Sequence, residues 1–241
     1  KQTIDGGYVI LGETNFGSNC EVYIIKTDST GIIQWNNTFN SGVLRTWGTS
    51  VFQTGDGGYI ISASRDDSFN FEQGYLIKID SNGIEQWNKT YSGGCVSVQQ
   101  TTDGGYIFTG DTVISSLFGA SDLYLAKTDV NGNIEWDQSF GGSGENTGAS
   151  VQQTTDGGYI VTGAYSNSPN TSTSTNTSTD VYLIKTDGNG NITSTFNIPI
   201  NPNRKLQKTV DLLGRETKGK KNQPLFYIYD DGTVEKRITI D

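Results

Sequence analysis

Short apolar runs, broken every few residues by Gly, Asp and Asn, set the pattern of this chain. Tyr159-Ile-Val-Thr-Gly163 and Asp122-Leu-Tyr-Leu-Ala-Lys-Thr128 are typical: five to seven residues, apolar on both faces, rich in β-branched and aromatic side chains. Runs of that length and composition predict strands buried between two neighbouring sheets, not helices.

The runs recur in a fixed order. A tight turn of the form Thr-x-Asp-Gly-Gly-Tyr or Thr-Asp-Gly-Gly-Tyr appears four times, with its aspartate at Asp5, Asp56, Asp103 and Asp156, spaced by 51, 47 and 53 residues. A second run follows each turn, beginning at Tyr23, Tyr75, Tyr124 and Tyr182 and closing on Asp28, Asp80, Asp129 and Asp187. Seven residues further on stand Trp35, Trp87 and Trp136, with Ser194 at that place in the fourth copy. Each copy therefore predicts four strands, A to D. The Asp-Gly-Gly turn joins A to B, where its glycines supply positive φ, and an Asp-x-x-Gly turn with a left-handed Gly joins C to D.

Four short strands per repeat of about 50 residues predict the blades of a β-propeller, an all-β fold. The expected blades run over about 1–48, 49–95, 96–148 and 149–197, followed by a distinct segment at 198–241. Trp35, Trp87 and Trp136 are expected as wedges between blades, because a large aromatic at one fixed offset is what interblade packing requires. Lys26, Lys78, Lys127 and Lys185 are expected to run along the sheet to a nearby Asp. The first strand A is reduced to Lys1-Gln2-Thr3 and the fourth strand D lacks its Trp. These four blades are thus expected to belong to a larger ring or to form a marginal four-blade one.

Composition narrows the chemistry. The chain has 241 residues, 31 Gly, 12 Tyr, no His and no Met. Without His there is no Ser-His-Asp or Cys-His nucleophile system and no usual zinc site. Residues 1–200 carry 8 Lys and Arg against 20 Asp and Glu, a net −12, which repels a phosphate backbone and argues against nucleic-acid binding. No apolar run approaches the ~20 residues that span a bilayer. The absent Met and the lack of a charged-then-apolar start lead us to expect a chain that begins downstream of its natural N-terminus. Cys20 and Cys95 occupy different places in the repeat and are expected as free thiols.

In a four-strand meander the A–B and C–D turns leave one end of the blade and the B–C and D–A loops the other. The second end carries the long, variable loops, where ligand residues usually sit. Arg45, Trp47, Phe69, Phe71 and Phe118 are the candidate ligand-face residues there, with Phe16, Arg65, Asp66 and Asp67 nearby. Such a rim suits a glycan or a peptide. The Ser/Thr/Asn-rich stretch 166–179 has little apolar area to bury and is expected as a mobile insert. Asp129-x-Asn131-x-Asn133-x-Glu135 has the oxygen spacing of a calcium loop, but hairpin chemistry accounts for it without an ion. No metal, cofactor or catalytic acid/base pair is expected.

Tyr182-Leu-Ile-Lys-Thr-Asp-x-x-Gly-Asn-Ile resembles the strand–turn–strand segment of bacterial quinoprotein-type propellers. The whole repeat, over about 1–197, is similar to repeats of secreted bacterial and archaeal proteins. That resemblance implies that strand A lines the central channel. After Asn197 the pattern changes. Asn201-Pro-Asn203, Val210-Asp-Leu-Leu-Gly-Arg-Glu216 and Leu225-Phe-Tyr-Ile-Tyr-Asp-Asp-Gly-Thr-Val-Glu-Lys236 resemble the C-terminal sorting segment of proteins exported by the type IX secretion system of Bacteroidota. The last stretch reads as a plain hairpin around Asp230-Asp-Gly232. The resemblance implies contact with the secretion machinery and a secreted or outer-membrane-attached location. The expected function is a non-enzymatic binding or adhesion propeller. The alternatives are the non-catalytic propeller portion of a larger secreted hydrolase or lyase, and a structural spacer.

Overall fold

The computed structural model describes residues 1–16, 19–42, 45–66, 72–115, 120–141, 144–166, 179–198, 205–211, 214–218, 224–230 and 234–238. They form strands only. The first fifteen are β1 (Tyr8–Phe16), β2 (Asn19–Thr27), β3 (Ile33–Phe39), β4 (Arg45–Gln53), β5 (Tyr59–Asp66), β6 (Glu72–Ile79), β7 (Glu85–Tyr91), β8 (Ser97–Gln100), β9 (Tyr106–Ser115), β10 (Ala120–Thr128), β11 (Ile134–Phe140), β12 (Thr147–Gln153), β13 (Tyr159–Ser166), β14 (Thr179–Thr186) and β15 (Ile192–Ile198). The last three are β16 (Leu206–Val210), β17 (Pro224–Tyr229) and β18 (Val234–Ile238). The chain divides into two compact units, Lys1–Ile198 and Pro199–Asp241.

The first unit consists of propeller blades. Strands β4–β7, β8–β11 and β12–β15 are antiparallel four-stranded meanders, and β1–β3 form the corresponding three strands of the first blade. A short piece of strand A completes that blade at its lower edge: Gln2 bridges Tyr8, and Val9 N–H donates to Lys1 O at 2.9 Å. Blades 1 and 2 share a single residue pair, Cys20 opposite Arg45. Their backbones are therefore paired at one point only, and the rest of their contact runs through side chains. β4 begins at Arg45 and β12 at Thr147, ahead of the boundaries read from the repeat, because the A strands extend upward beyond the motif.

Three apolar cores lie between successive blades. The first joins Val9, Val22 and Ile24 of blade 1 to Tyr59, Ile61 and Tyr75 of blade 2. The second joins Ile60 and Leu76 to Tyr106, Phe108 and Tyr124, and the third joins Ile107 and Leu125 to Tyr159, Val161 and Tyr182. Strands apolar on both faces thus find a core on each side, which is what the continuous apolar runs require. The outer face of blade 1 is different. Tyr8 is 43% and Ile10 49% exposed, whereas their counterparts Tyr59 and Ile61 are at 1% and 0%.

Each seam is fastened by the same parts. The indoles of Trp35, Trp87 and Trp136 meet the rings of Tyr59, Tyr106 and Tyr159 in the following blade, with centroids 5.7–5.9 Å apart and steeply inclined planes. They also lie over Gly83, Gly132 and Gly190 of the next C–D turn, where φ is 75–81°. A Cβ there would come within 2.7–2.8 Å of the indole, so both the turn and the wedge require glycine. Glutamines at the ends of the A strands tie the turns together. Gln53 Oε1 accepts Ile4 N–H, Gln100 Oε1 accepts Gly55 N–H, and Gln153 Oε1 accepts Thr102 N–H, at 2.8–2.9 Å.

Within each blade a lysine, buried in the first three, fixes the A–B turn to strand C. Lys26, Lys78 and Lys127 are each 3% exposed and sit 2.8–2.9 Å from Asp5, Asp56 and Asp103; Lys185 and Asp156 repeat the pair at 3.0 Å. Each ammonium also donates to the next residue's carbonyl. A third donation goes to a side chain of strand D in the first three blades: Gln34, Gln86 and Glu135. Three donors thus meet three acceptors, which offsets the cost of burying the charge. The two glycines of Asp-Gly-Gly divide the work. The first has positive φ, as at Gly57 (83°). The second makes room: a Cβ on Gly58 would stand 2.3 Å from Ile79 O and 2.8 Å from Lys78 Nζ.

The second unit is a three-stranded antiparallel sheet in the order β16–β17–β18. The expected hairpin is present, and β16 adds a strand that the sequence pattern did not announce. Val210, Leu225 and Tyr229 are its buried apolar residues among those described. Asp230 closes the end of the β16–β17 pair by accepting Lys205 N–H at 2.8 Å and donating its own N–H to Lys205 O at 3.0 Å.

Candidate functional site

The two ends of the blades differ as the turn pattern requires. One end carries the A–B and C–D turns. The other carries the longer connections, and of the candidate residues there Arg45 and Trp47 lie within the described structure. Phe69, Phe71 and Phe118, together with Asp67 and the side chain of Phe16, lie outside it. Arg45 and Trp47 are not loop residues: they open strand β4.

Register gathers a polar group around them. In the β4–β5 pair Arg45 stands opposite Asp66 and Trp47 opposite Ser64, so all four share one face of the sheet. The Arg45 guanidinium lies 5.6 Å from the centre of the Trp47 ring, a cation–π distance. Ser64 Oγ and Asp66 Oδ1 are inaccessible to solvent and have no hydrogen-bond partner among the described residues. Ser64 is only 1% exposed. Burying such groups without a partner costs about 1–3 kcal/mol each. Arg65 projects to the opposite face, where its Nη1 donates to Thr90 Oγ1 at 2.8 Å while Nε lacks a partner among the described residues. The upper end of blade 2 therefore holds unspent hydrogen-bonding capacity beside a half-buried indole. Ser64 escaped the sequence reading because a Ser at the end of an apolar strand looks like ordinary strand chemistry.

The Asp129–Glu135 segment is engaged within its own hairpin. Asp129 Oδ1 accepts the N–H groups of Asn131 and Asn133, its Oδ2 accepts Asn133 Nδ2, and Glu135 holds Lys127. Both cysteines are free and buried. Burial raises the thiol pKa of each, and the Glu13 carboxylate adds to the effect at Cys20.

No family model matches the chain, and no curated protein is similar to it. Solved structures are. A protein of unknown function from Dyadobacter fermentans superposes at a TM-score of 0.60 with 10% identity, covering 98% of this chain and 80% of that one. A thermostable family-43 glycoside hydrolase aligns at 0.43 with 11% identity over 98% of this chain and 96% of its own. A family-43 β-1,3-galactosidase aligns at 0.40 with 10% identity over 94% and 59%. Overlap as loose as in the two hydrolases carries nothing over to this chain's chemistry. The Dyadobacter likeness is one of fold alone, and this chain's own four-strand sheets stacked through repeated seams make it a β-propeller protein.

Proposed function

We propose that this chain is a secreted, surface-displayed binding propeller that is not an enzyme, and that the long-loop end of blade 2 engages its partner. One observation carries the reading. Arg45, Trp47, Ser64 and Asp66 share a sheet face on which an indole is half-buried and two buried oxygens have no bond partner among the described residues. Trp and Arg are the side chains that most often anchor interfaces. A peptide segment or a glycan suits an exposed Arg beside a half-buried indole.

The sorting-like residues of 201–241 support export through the type IX machinery. Two measurements test the parts separately. Glycan and peptide arrays probed with the full chain should give binders whose signal falls at least tenfold with Trp47→Ala; an array with no binder sinks the binding reading. Residues 198–241 fused to a reporter should carry it to the surface of a type IX-competent bacterium, and retention in the periplasm sinks the export reading.

A further inference from the structure

The end with the tight turns is not featureless. Clefts of about 470 and 390 Å³ open there at the first two seams. Four of their lining residues correspond. Lys26, Gln34, Gln53 and Tyr59 line the first, and Lys78, Gln86, Gln100 and Tyr106 stand in the same places in the second. Asp5 and Asp56 border the first, and Asp56 also borders the second.

What these side chains offer can be worked out atom by atom. The lysine is spent on three acceptors, so it is no anion site. It takes the Oε1 of Gln34 or Gln86 and leaves that amide's NH₂ with no acceptor among the described residues. Tyr59 and Tyr106 are each 1% exposed and border the clefts, and no hydrogen bond occupies their hydroxyls among the described residues. Burial, and the nearby Asp5 or Asp56 carboxylate, push both phenols up to about 12, so they remain donors at any physiological pH. The aspartates are half-exposed acceptors. Fixed donors next to fixed carboxylate acceptors reject a phosphate or carboxylate ligand. They fit a neutral molecule whose groups each donate and accept at once.

We propose that the first two seam clefts on the tight-turn end each bind one neutral, hydroxyl-rich sugar unit, held between the amide of Gln34 or Gln86, the phenol of Tyr59 or Tyr106, and the bordering Asp carboxylate. Two matching clefts favour a glycan with repeated units, since tethering converts the second contact into an intramolecular one. The third seam is a built-in control: Glu135 replaces the glutamine, so its Lys127 is paired with two carboxylates and the amide donor is missing.

The test is NMR shift mapping on the full chain with glucose, galactose, mannose and N-acetylglucosamine added singly. At least one sugar is expected to give saturable shifts of the Gln34 and Gln86 side-chain NH₂ signals. Tyr59→Phe and Tyr106→Phe keep the ring against its Trp, and each should weaken binding about tenfold at its own cleft, the loss of one hydrogen bond of about 1.4 kcal/mol. Gln86→Glu, which copies the third seam, should abolish the sugar-induced shift of the Trp87 indole N–H, a residue of the second cleft, while the Gln34 NH₂ shift in the first cleft persists. Trp47→Ala should leave these shifts unchanged, which separates this site from the one at the opposite end. Absence of saturable shifts with all four sugars overturns the assignment, as do shifts that saturate with undiminished affinity in the double Tyr→Phe variant or that calcium chloride alone reproduces.

Discussion

The indole of Trp87 in blade 2 meets the ring of Tyr106 in blade 3 edge-on, with centroids 5.7 Å apart and planes inclined by 64°. A large aromatic of one repeat thus finishes the core of the next, over a glycine whose missing side chain leaves it room.

Removing that wedge should cost stability. Trp87→Ala is expected to destabilise the protein by about 3 kcal/mol, the low end of the range for deleting a large aromatic, because the indole is only partly buried. Trp47→Ala at the rim should cost under about 1 kcal/mol and act on partner binding instead. Urea titrations of the two variants compare them directly. Equal loss of stability would mean that Trp47 is also a core residue.

Gly83→Ala introduces a Cβ at φ +79° that would stand 2.8 Å from Trp35. Strain of about 1 kcal/mol from the left-handed backbone then adds to displacement of the wedge, for a total expected near 2–3 kcal/mol. Gly31→Ala has the same backbone cost with nothing within 4 Å of the new atom, and should lose only the first part. Thermal melts of the pair isolate the packing contribution.

The lysine–aspartate pairs should make stability fall in acid. Desolvation pushes the carboxyls of Asp56 and Asp103 up, but bonds from the neighbouring Lys, Thr and Gly outweigh it and hold both at about 2. At Asp5 and Asp156 the same kinds of bond, from Lys, Thr and Gly, also lower the carboxyl. A carboxyl depressed on folding binds protons more readily when unfolded. Its contribution is complete above the ordinary carboxylate pKa of about 4 and is lost as pH falls towards about 2. Unfolding midpoints should therefore be flat from pH 7 to 5 and drop below 4. Asp56→Asn should flatten part of that drop, and screening at the half-exposed carboxylates keeps each share small.

Cys95 lies at 0% exposure with its thiol pKa raised well above normal by burial, so it should resist alkylation under native conditions. Mass spectrometry after iodoacetamide treatment at pH 8 should find Cys95 unmodified until denaturant is added. Rapid native labelling of Cys95 would show that blades 2 and 3 separate readily.

Much of this fold was legible because turns and wedges use residues with few substitutes. Asp-Gly-Gly, Asp-x-x-Gly and the spaced Trp announce hairpins and seams by chemistry alone, and the reach of Lys78 to Asp56 followed from its place on the strand. The second glycine of Asp-Gly-Gly was misread. It looks like a turn residue, but its role is to admit a carbonyl and an ammonium that belong to strand C of the same blade. Gln53, Gln100 and Gln153 gave no warning either, because glutamine serves on any polar strand edge and its partner belongs to another repeat. The seam clefts were invisible for the same reason. Each is assembled from two blades, and no single repeat contains one. At the long-loop end, Trp47 was singled out as an aromatic, whereas the unbonded oxygens of Ser64 and Asp66 depend on which atoms burial leaves stranded.

The glutamine ties carry one more consequence. Because Gln100 closes a turn that belongs to the preceding blade, and Trp87 completes a core that belongs to the following one, the cooperative building block straddles two copies of the motif instead of coinciding with either. An excised single copy would take half of each joint with it, so shortening or lengthening this array in whole motifs would preserve every joint but the outermost.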